Sequence, residues 1–127
     1  MAITMKWIYL VIGGIAGTLC RYVLSGVVYK TTGTSFPYGT LIVNLSGCLF
    51  IGFLSAQSDE KFMLGPEMKL LWMAGFCGAF TTFSTFMLET SNLLKDGESL
   101  RAFSNVMASV ALGFLCFRAG VMLGRWI

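Results

Sequence analysis

The sequence predicts an all-α integral membrane protein with four transmembrane helices per chain. Apolar residues make up 56% of the chain and charged residues only 12%, against roughly 45–50% and roughly 25% in ordinary soluble domains. In addition, four apolar stretches are each long enough to cross the hydrocarbon core of a bilayer, which takes roughly 20 helical residues. We therefore expect residues 1–127 to form a single transmembrane domain.

The four predicted spans cover about residues 7–29, 39–56, 70–94 and 102–124. Short polar stretches separate them, and these contain both prolines, Pro37 and Pro66. Short connections favour antiparallel neighbours, so the helices are expected to run up, down, up and down. The N-terminal stretch is interpreted as a retained span because it continues to Tyr29, includes Arg21 and lacks a clear small-residue cleavage site.

The residue types exclude several functional classes. The chain has no histidine, and therefore no imidazole for a metal site, a catalytic triad or a proton relay. A net charge of +3 on few ionisable groups does not suggest a nucleic-acid partner. The four cysteines occur singly in apolar stretches, which predicts buried, reduced thiols that act as apolar fillers. They are Cys20, Cys48, Cys77 and Cys116.

The cations are divided almost evenly between the two sides of the membrane. The side with both termini holds Lys6, Lys61, Lys69 and Arg125, and the other side holds Lys30, Lys95 and Arg101. Orientation follows an excess of Lys and Arg on one side, so this balance specifies no single orientation. Insertion in both orientations with antiparallel pairing is one explanation, and a balance that arose by chance is the other.

Three of the spans carry a small or polar face at a spacing of three or four residues, which is typical of helices that pack in lipid. The faces are Gly13, Gly17, Arg21 and Ser25; Thr40, Asn44, Gly47 and Ile51; and Asn105, Ser109, Gly113, Gly120 and Gly124. The amides of Asn44 and Asn105 need partners at depth. Arg21 either extends to an interface or faces a water-filled vestibule. Arg118 and Glu89 lie nearer span ends and are interpreted as interfacial anchors.

The third span contains the most specific pattern, GFCGAFTTFSTF at residues 75–86. Its Thr-Thr-Phe-Ser-Thr run consists of weak helix formers whose hydroxyls compete for backbone hydrogen bonds. We therefore predict that the third helix is broken at mid-membrane, with one half ending near Gly78 and the other starting near Thr82 or Phe83. Irregular backbone at that depth is tolerated only when it is buried in protein or lines a cavity.

Such a break points to ions. The carbonyls that end the first half suit a small cation, and the free N–H groups that begin the second half suit an anion. Phe83 and Phe86 flank this second start, and the electropositive edges of their rings can solvate an anion weakly, as conduction requires. Ordinary packing of a phenylalanine pair is the alternative that the spacing leaves open.

These residues resemble the signature of the Fluc, or CrcB-type, fluoride channel family. The resemblance rests on Gly13-Gly14-x-x-Gly17-x-x-x-Arg21-Tyr22, on Gly39-Thr40-x-x-Val43-Asn44, and on Gly78-x-x-Thr81-Thr82-Phe83-Ser84-Thr85-Phe86 followed by Glu89. It covers nearly the whole chain. It implies a passive fluoride-selective channel that exports cytoplasmic fluoride across the bacterial cytoplasmic (inner) membrane, through two pores of an antiparallel, dual-topology homodimer.

The resemblance also implies roles for individual residues. The fluoride pore would be lined by Asn44, Phe83, Phe86, Ser84 and Thr85, with Ser109 as a further candidate. Arg21 would lie near the aqueous vestibule. The carbonyl oxygens of Gly78 and Thr81 would bind a structural sodium ion (Na+) on the dimer axis. Asn105 stands where many members have tyrosine, so its role stays open, as do those of Glu89 and Arg118.

The alternative from another class is a small dual-topology multidrug or cation antiporter. Such a protein needs a carboxylate in its first span, where this chain has Arg21 and no acid. A non-transporting scaffold subunit would leave the hydroxyl cluster of the third span unexplained. An enzyme is not expected, because no nucleophile has an evident base or metal partner. The expected partners are fluoride, the lipid bilayer and a second copy of the chain.

Overall fold

The computed structural model describes residues 2–127, and every regular element in that part of the chain is helical. Four helical spans are long and apolar enough to cross a membrane: Ile3–Thr32, Tyr38–Glu60, Pro66–Lys95 and Ser99–Trp126. The predicted all-helical architecture with four such helices is therefore confirmed. The first span has 30 residues, about 45 Å of helix at 1.5 Å per residue, and extends beyond the predicted stretch at both ends.

The spans are built from six α-helices and two π-helical segments. These are α1 (Ile3–Thr32), α2 (Tyr38–Ser55) with a π segment at Ala56–Glu60, α3 (Pro66–Met68) with a π segment at Lys69–Cys77, α4 (Gly78–Phe80), α5 (Phe83–Lys95) and α6 (Ser99–Trp126). The residues up to Phe80 are called the first half of the third span below. The sequence did not predict the π segments, since their residues have ordinary α-helical preferences.

A glycine seam joins α1 to the first half of the third span. A methyl group at Gly13 would overlap the carbonyl oxygen of Leu71, and one at Gly17 would overlap that of Phe76. Both glycines are buried. Small residues let two helix backbones approach closely, and in lipid such close packing drives helix association. Gly13 and Gly17 of the predicted small face therefore serve this seam.

A second glycine seam joins α2 to α6. A side chain at Gly52 would overlap the Phe117 carbonyl, and one at Gly120 would overlap the Leu49 carbonyl. The apolar window of the second span is 44% buried, against 11% for that of the first span. The second span is thus the central helix of the chain, and α1 presents most of its surface outward.

A tight turn joins α5 to α6 and makes them antiparallel neighbours. Gly97 adopts a φ of 77°, which is accessible to glycine at little cost. Its N–H donates to the Leu94 carbonyl at 3.1 Å, and the Glu98 N–H donates to the Leu93 carbonyl at 2.8 Å. These two bonds satisfy carbonyls that the end of α5 leaves free. The α6 helix then starts at Ser99.

The four cysteines differ in their surroundings. Cys77 is buried, whereas Cys48 and Cys116 are half-buried. Cys20 is exposed, so the prediction of a buried filler is wrong for this residue. It lies on the outward face of α1, where a small apolar thiol can contact lipid.

Candidate functional site

Two residues with extended backbone separate α4 from α5. The α4 helix ends at Phe80, Thr81 has φ −82° and ψ 155°, and Thr82 has φ −147° and ψ 119°. We call Thr81 and Thr82 the interruption. The sequence predicted that the first half of the span ends near Gly78. In the structure this half stays helical through Phe80, whose side chain is buried.

The side chain of Asn44 on α2 pairs with the interruption. Its Nδ2 donates to the Thr82 carbonyl at 3.0 Å, and its Oδ1 accepts from the Thr82 N–H at 2.8 Å. One amide therefore satisfies both backbone groups of a residue that has left the helix. The backbone of the third span is therefore the partner that the Asn44 amide was expected to need.

Thr82 also caps the start of α5. Its Oγ1 accepts from the Thr85 N–H at 3.3 Å and donates to the Thr85 Oγ1 at 3.0 Å. Such a cap satisfies one of the N–H groups that a helix start leaves without an internal partner. The N–H groups of Phe83 and Ser84 donate to no acceptor within residues 2–127. The first turn of α5 thus keeps two donors free.

The interruption also frees the carbonyl oxygens of residues 78–81, which include those of the sequence-predicted ligands Gly78 and Thr81. In an α-helix the carbonyl of residue i accepts from the N–H of residue i+4, which would be Thr82 for Gly78 and Thr85 for Thr81. Those two N–H groups donate instead to Asn44 and to the Thr82 hydroxyl. The carbonyls of Gly78 and Thr81 therefore lose their helical donors. Oxygen ligands without helical partners fit a hard cation such as sodium.

The two phenylalanines at the start of α5 have different environments. The ring of Phe86 is 6% exposed, whereas that of Phe83 is 73% exposed. Their centroids lie 5.7 Å apart, with the ring planes inclined at 58°. Phe86 therefore contributes to packing in the single chain, while Phe83 presents most of its ring to the outside.

A cavity of about 250 Å³ lies beside the interruption. Its lining comes from the second span and from both sides of the interruption: Asn44, Gly47, Cys48, Ile51, Cys77, Thr81, Thr82 and Phe83. The methyl group of Thr81 packs over Gly47, where a larger side chain would overlap it. The cavity is mostly apolar with a few polar groups, which is typical of a site that binds an ion weakly.

A second polar cluster lies two turns further along α5, around Glu89. The Glu89 Oε1 accepts from the Tyr29 hydroxyl at 3.0 Å and from the Thr40 hydroxyl at 2.8 Å. Its Oε2 is buried and has no hydrogen-bond partner in the described part of the chain. Glu89, which the sequence predicted to be an interfacial anchor, is thus a half-buried carboxylate between α1, α2 and α5. Tyr29 was missed, although it lies one turn after Ser25 of the α1 face.

Asn105 bonds to α5. Its Nδ2 donates to the Thr90 hydroxyl at 3.0 Å, and its side chain is 1% exposed. Ser109 lies four residues later on α6, and its hydroxyl is buried with no hydrogen-bond partner among residues 2–127. The family pattern left the role of Asn105 open, and the structure shows that its side chain bonds to α5 through Thr90. Thr90 was missed because a lone threonine near a helix end gives no sequence signal.

The structure therefore brings together most of the candidate site residues. The residues gathered at the interruption are Asn44, Gly78, Thr81, Phe83, Ser84, Thr85 and Phe86. Arg21 and Ser109 lie on α1 and α6, and no hydrogen bond joins them to this group in the described residues. Arg21 is half-buried, with its Nε hidden from solvent and unpartnered over the same range.

A family model described as CrcB-like protein, Camphor Resistance (CrcB) matches residues 8–121 of the chain. The chain belongs to the CrcB family. Relatives named fluoride-specific ion channel FluC extend the match. The protein from Maridesulfovibrio salexigens is 48% identical over 96% of this chain and 97% of its own length. One from a Geobacter species is 47% identical over 93% and 95%, and one from Solidesulfovibrio magneticus is 43% identical over 94% and 95%.

Membership in the CrcB family confirms the resemblance that the three motifs predicted. The matched residues include the interruption, Asn44 and the Glu89 cluster, so all of the candidate site lies inside the family region. The four apolar helices and the channel names of the CrcB relatives together identify a multi-pass membrane protein.

Proposed function

We propose that this chain is a passive fluoride channel of the bacterial cytoplasmic membrane. The observation that carries the proposal is the interruption, where Thr82 and Phe83 line the cavity beside Asn44 and α5 starts with two free N–H groups. The names of the relatives support fluoride as the ion. An inside-negative voltage would drive the anion out at about 2.3 kcal/mol per charge per 100 mV, so no energy-coupling site is required.

The proposed pore runs along α5. Near the interruption, N–H groups and ring edges replace water around the anion, and each such contact is weak enough to be released again. Further along, Thr85 and Ser84 offer hydroxyls, and Ser109 has a hydroxyl without a partner in residues 2–127. Asn44 holds the backbone in the shape that leaves these donors free.

We further propose that two chains form an antiparallel dimer with two pores and a central sodium ion. The balanced cations permit both orientations, and the interruption is proposed to lie near the middle of the bilayer. Carbonyls of Gly78 and Thr81 from two chains would then supply oxygen ligands without a carboxylate, which suits a monovalent cation. A tag at the C-terminus should be accessible from both faces of intact cells, and a single orientation would rule the antiparallel dimer out.

The antiporter alternative is disfavoured by α1. The charged residues of its span are Lys6, Arg21 and Lys30, and none is acidic. Glu89 contacts α1 from α5, and it accepts hydrogen bonds from Tyr29 and Thr40.

Fluoride efflux from liposomes that contain only this purified protein tests the proposed function. We expect rapid fluoride release under a potential set by potassium and valinomycin, and no chloride release under the same potential. Equal leakage of the two anions, or of neither, would remove the proposal.

A further inference from the structure

A groove with a basic rim lies between α1 and the first half of the third span, at the end where both helices begin. It encloses about 490 Å³ and is lined by Lys6, Pro66, Lys69, Leu70, Met73 and Ala74. The two lysines supply the positive charge, and the remaining lining residues are apolar. The groove lies about two helical turns before the glycine seam at Gly13, where the same two helices come into close contact.

Neither lysine forms a strong ion pair among the described residues, so both can bind an anion. Lys6 has no ion-pair partner within 4.0 Å in the part of the chain described, residues 2–127. The Lys69 Nζ lies 3.9 Å from the Asp59 Oδ1, and the two side chains are 44% and 68% exposed. A pair this long and this exposed is worth little. On the same side of the protein, by contrast, Arg125 binds Glu60 through two nitrogens at 2.7–3.0 Å.

We propose that this groove binds an anionic phospholipid of the surrounding membrane. The phosphate would lie between the Lys6 and Lys69 ammonium groups, and an acyl chain would lie against Leu70, Met73 and Ala74. Lysine stems reach from the apolar span to the headgroup level, and basic pockets between transmembrane helices bind anionic headgroups. The apolar wall favours a lipid over a free phosphate ion, because only the lipid buries hydrocarbon there. The site lies away from the interruption and does not depend on the proposed conduction.

Native mass spectrometry of the detergent-purified protein tests the site. The probes are phosphatidylglycerol and phosphatidylcholine with identical acyl chains. We expect the parent to retain phosphatidylglycerol preferentially. Lys6→Gln and Lys69→Gln should each weaken phosphatidylglycerol binding about fivefold, since a basic residue near a membrane surface contributes about that factor. Phosphatidylcholine binding should not change, and Lys6→Arg should retain the preference.

Two matched variants separate this site from general effects. Asp59→Asn breaks the same ion pair as Lys69→Gln but leaves the Lys69 charge, so phosphatidylglycerol binding should be unchanged or tighter. Lys95→Gln removes a lysine at the end of α5, away from the groove, and should have no effect. Thermal unfolding without added lipid checks that each variant is folded.

Several results would overturn the proposal. They are equal retention of the two lipids by the parent, an Asp59→Asn loss as large as that of Lys69→Gln, and an equal loss in Lys95→Gln. Inorganic phosphate is the last arm of the test. If it displaces phosphatidylglycerol or raises the unfolding temperature as much as the lipid does, the groove is a phosphate site and not a lipid site.

Discussion

The two halves of the third span are held in different ways. The first half packs on α1 through glycines, with backbone against backbone and no side-chain hydrogen bond between them among the described residues. The second half, α5 with its capping residue Thr82, is held by side-chain hydrogen bonds to three other helices. These bonds are Asn44 to Thr82, Tyr29 and Thr40 to Glu89, and Asn105 to Thr90.

The difference shows that a small membrane protein can use close apolar packing in one part and hydrogen-bonded contacts in another. Apolar burial does not drive helices together in lipid, so close packing and hydrogen bonds must do so. Glycine seams give close contact without any polar group. Hydrogen-bonded contacts place polar side chains between the helices, and the first turn of α5 keeps free N–H groups beside the interruption. The ion path that we propose needs such weak, unsaturated polar groups, and the proposed path therefore follows the α5 half.

The largest expected effect comes from a glycine seam. Gly13→Ala places a methyl group on the Leu71 carbonyl, whereas Gly14→Ala meets no heavy atom within 4 Å. We expect Gly13→Ala to lower the free energy of unfolding by about 3 kcal/mol, as overpacking against rigid backbone does. Thermal unfolding in detergent measures this. Gly14→Ala is the matched control on the same helix, and equal losses in the two variants would contradict the seam.

The next effect tests the contact that shapes the interruption. Asn44→Leu leaves the N–H and carbonyl of Thr82 without their partner, so we expect a loss of about 2 kcal/mol in unfolding free energy and a strong fall in fluoride flux. Thr90→Val removes a hydroxyl further along α5 that accepts from Asn105 and donates to the Phe86 carbonyl, and it should cost about 1 kcal/mol while fluoride still passes. If Asn44→Leu has the same unfolding free energy and the same fluoride flux as the parent, Asn44 does not hold the interruption.

The phenylalanines separate packing from solvation of the anion. Phe83→Ile should leave stability nearly unchanged because that ring is 73% exposed. Phe86→Ile should cost under about 1.5 kcal/mol, as a hydrophobic swap in a packed site does. We nevertheless expect each to lower fluoride flux at least tenfold, since each 1.36 kcal/mol added to the barrier slows transport about tenfold. Flux from liposomes is the measurement.

Methionine at these two positions should restore more flux than isoleucine, because its terminal methyl is slightly electropositive and the side chain is polarizable. If the isoleucine variants conduct like the parent, both rings only pack and do not solvate the anion. The pore would then have to follow Asn44 and Ser109.

The smallest effect concerns the proposed sodium ligands. Thr81→Ser keeps the backbone carbonyl and the hydroxyl that donates to the Cys77 carbonyl at 2.9 Å. It removes only the methyl group over Gly47, so we expect a loss of about 1 kcal/mol and nearly normal flux. Complete exchange of sodium for lithium or choline should instead lower flux or the unfolding temperature. Full activity and stability in sodium-free medium would argue against the ion.

The four apolar helices could be predicted because they depend on local properties. Hydropathy is read residue by residue, so four spans are visible without any knowledge of their packing. The run from Thr81 to Thr85 weakens a helix wherever it occurs. The motif around it is specific enough to indicate the family. These local features do not depend on how the four helices pack.

Tertiary structure alone decided which groups meet. Asn44 reaches the backbone of Thr82, 38 residues away, and Glu89 accepts from Tyr29, 60 residues away. Such pairs depend on the rotation and depth of each helix, which hydropathy does not encode. The sequence showed that the amide of Asn44 needed a partner, but it assigned no partner to Glu89. Only the packed helices determined that Asn44 diverts the Thr82 N–H, and so frees the Gly78 carbonyl.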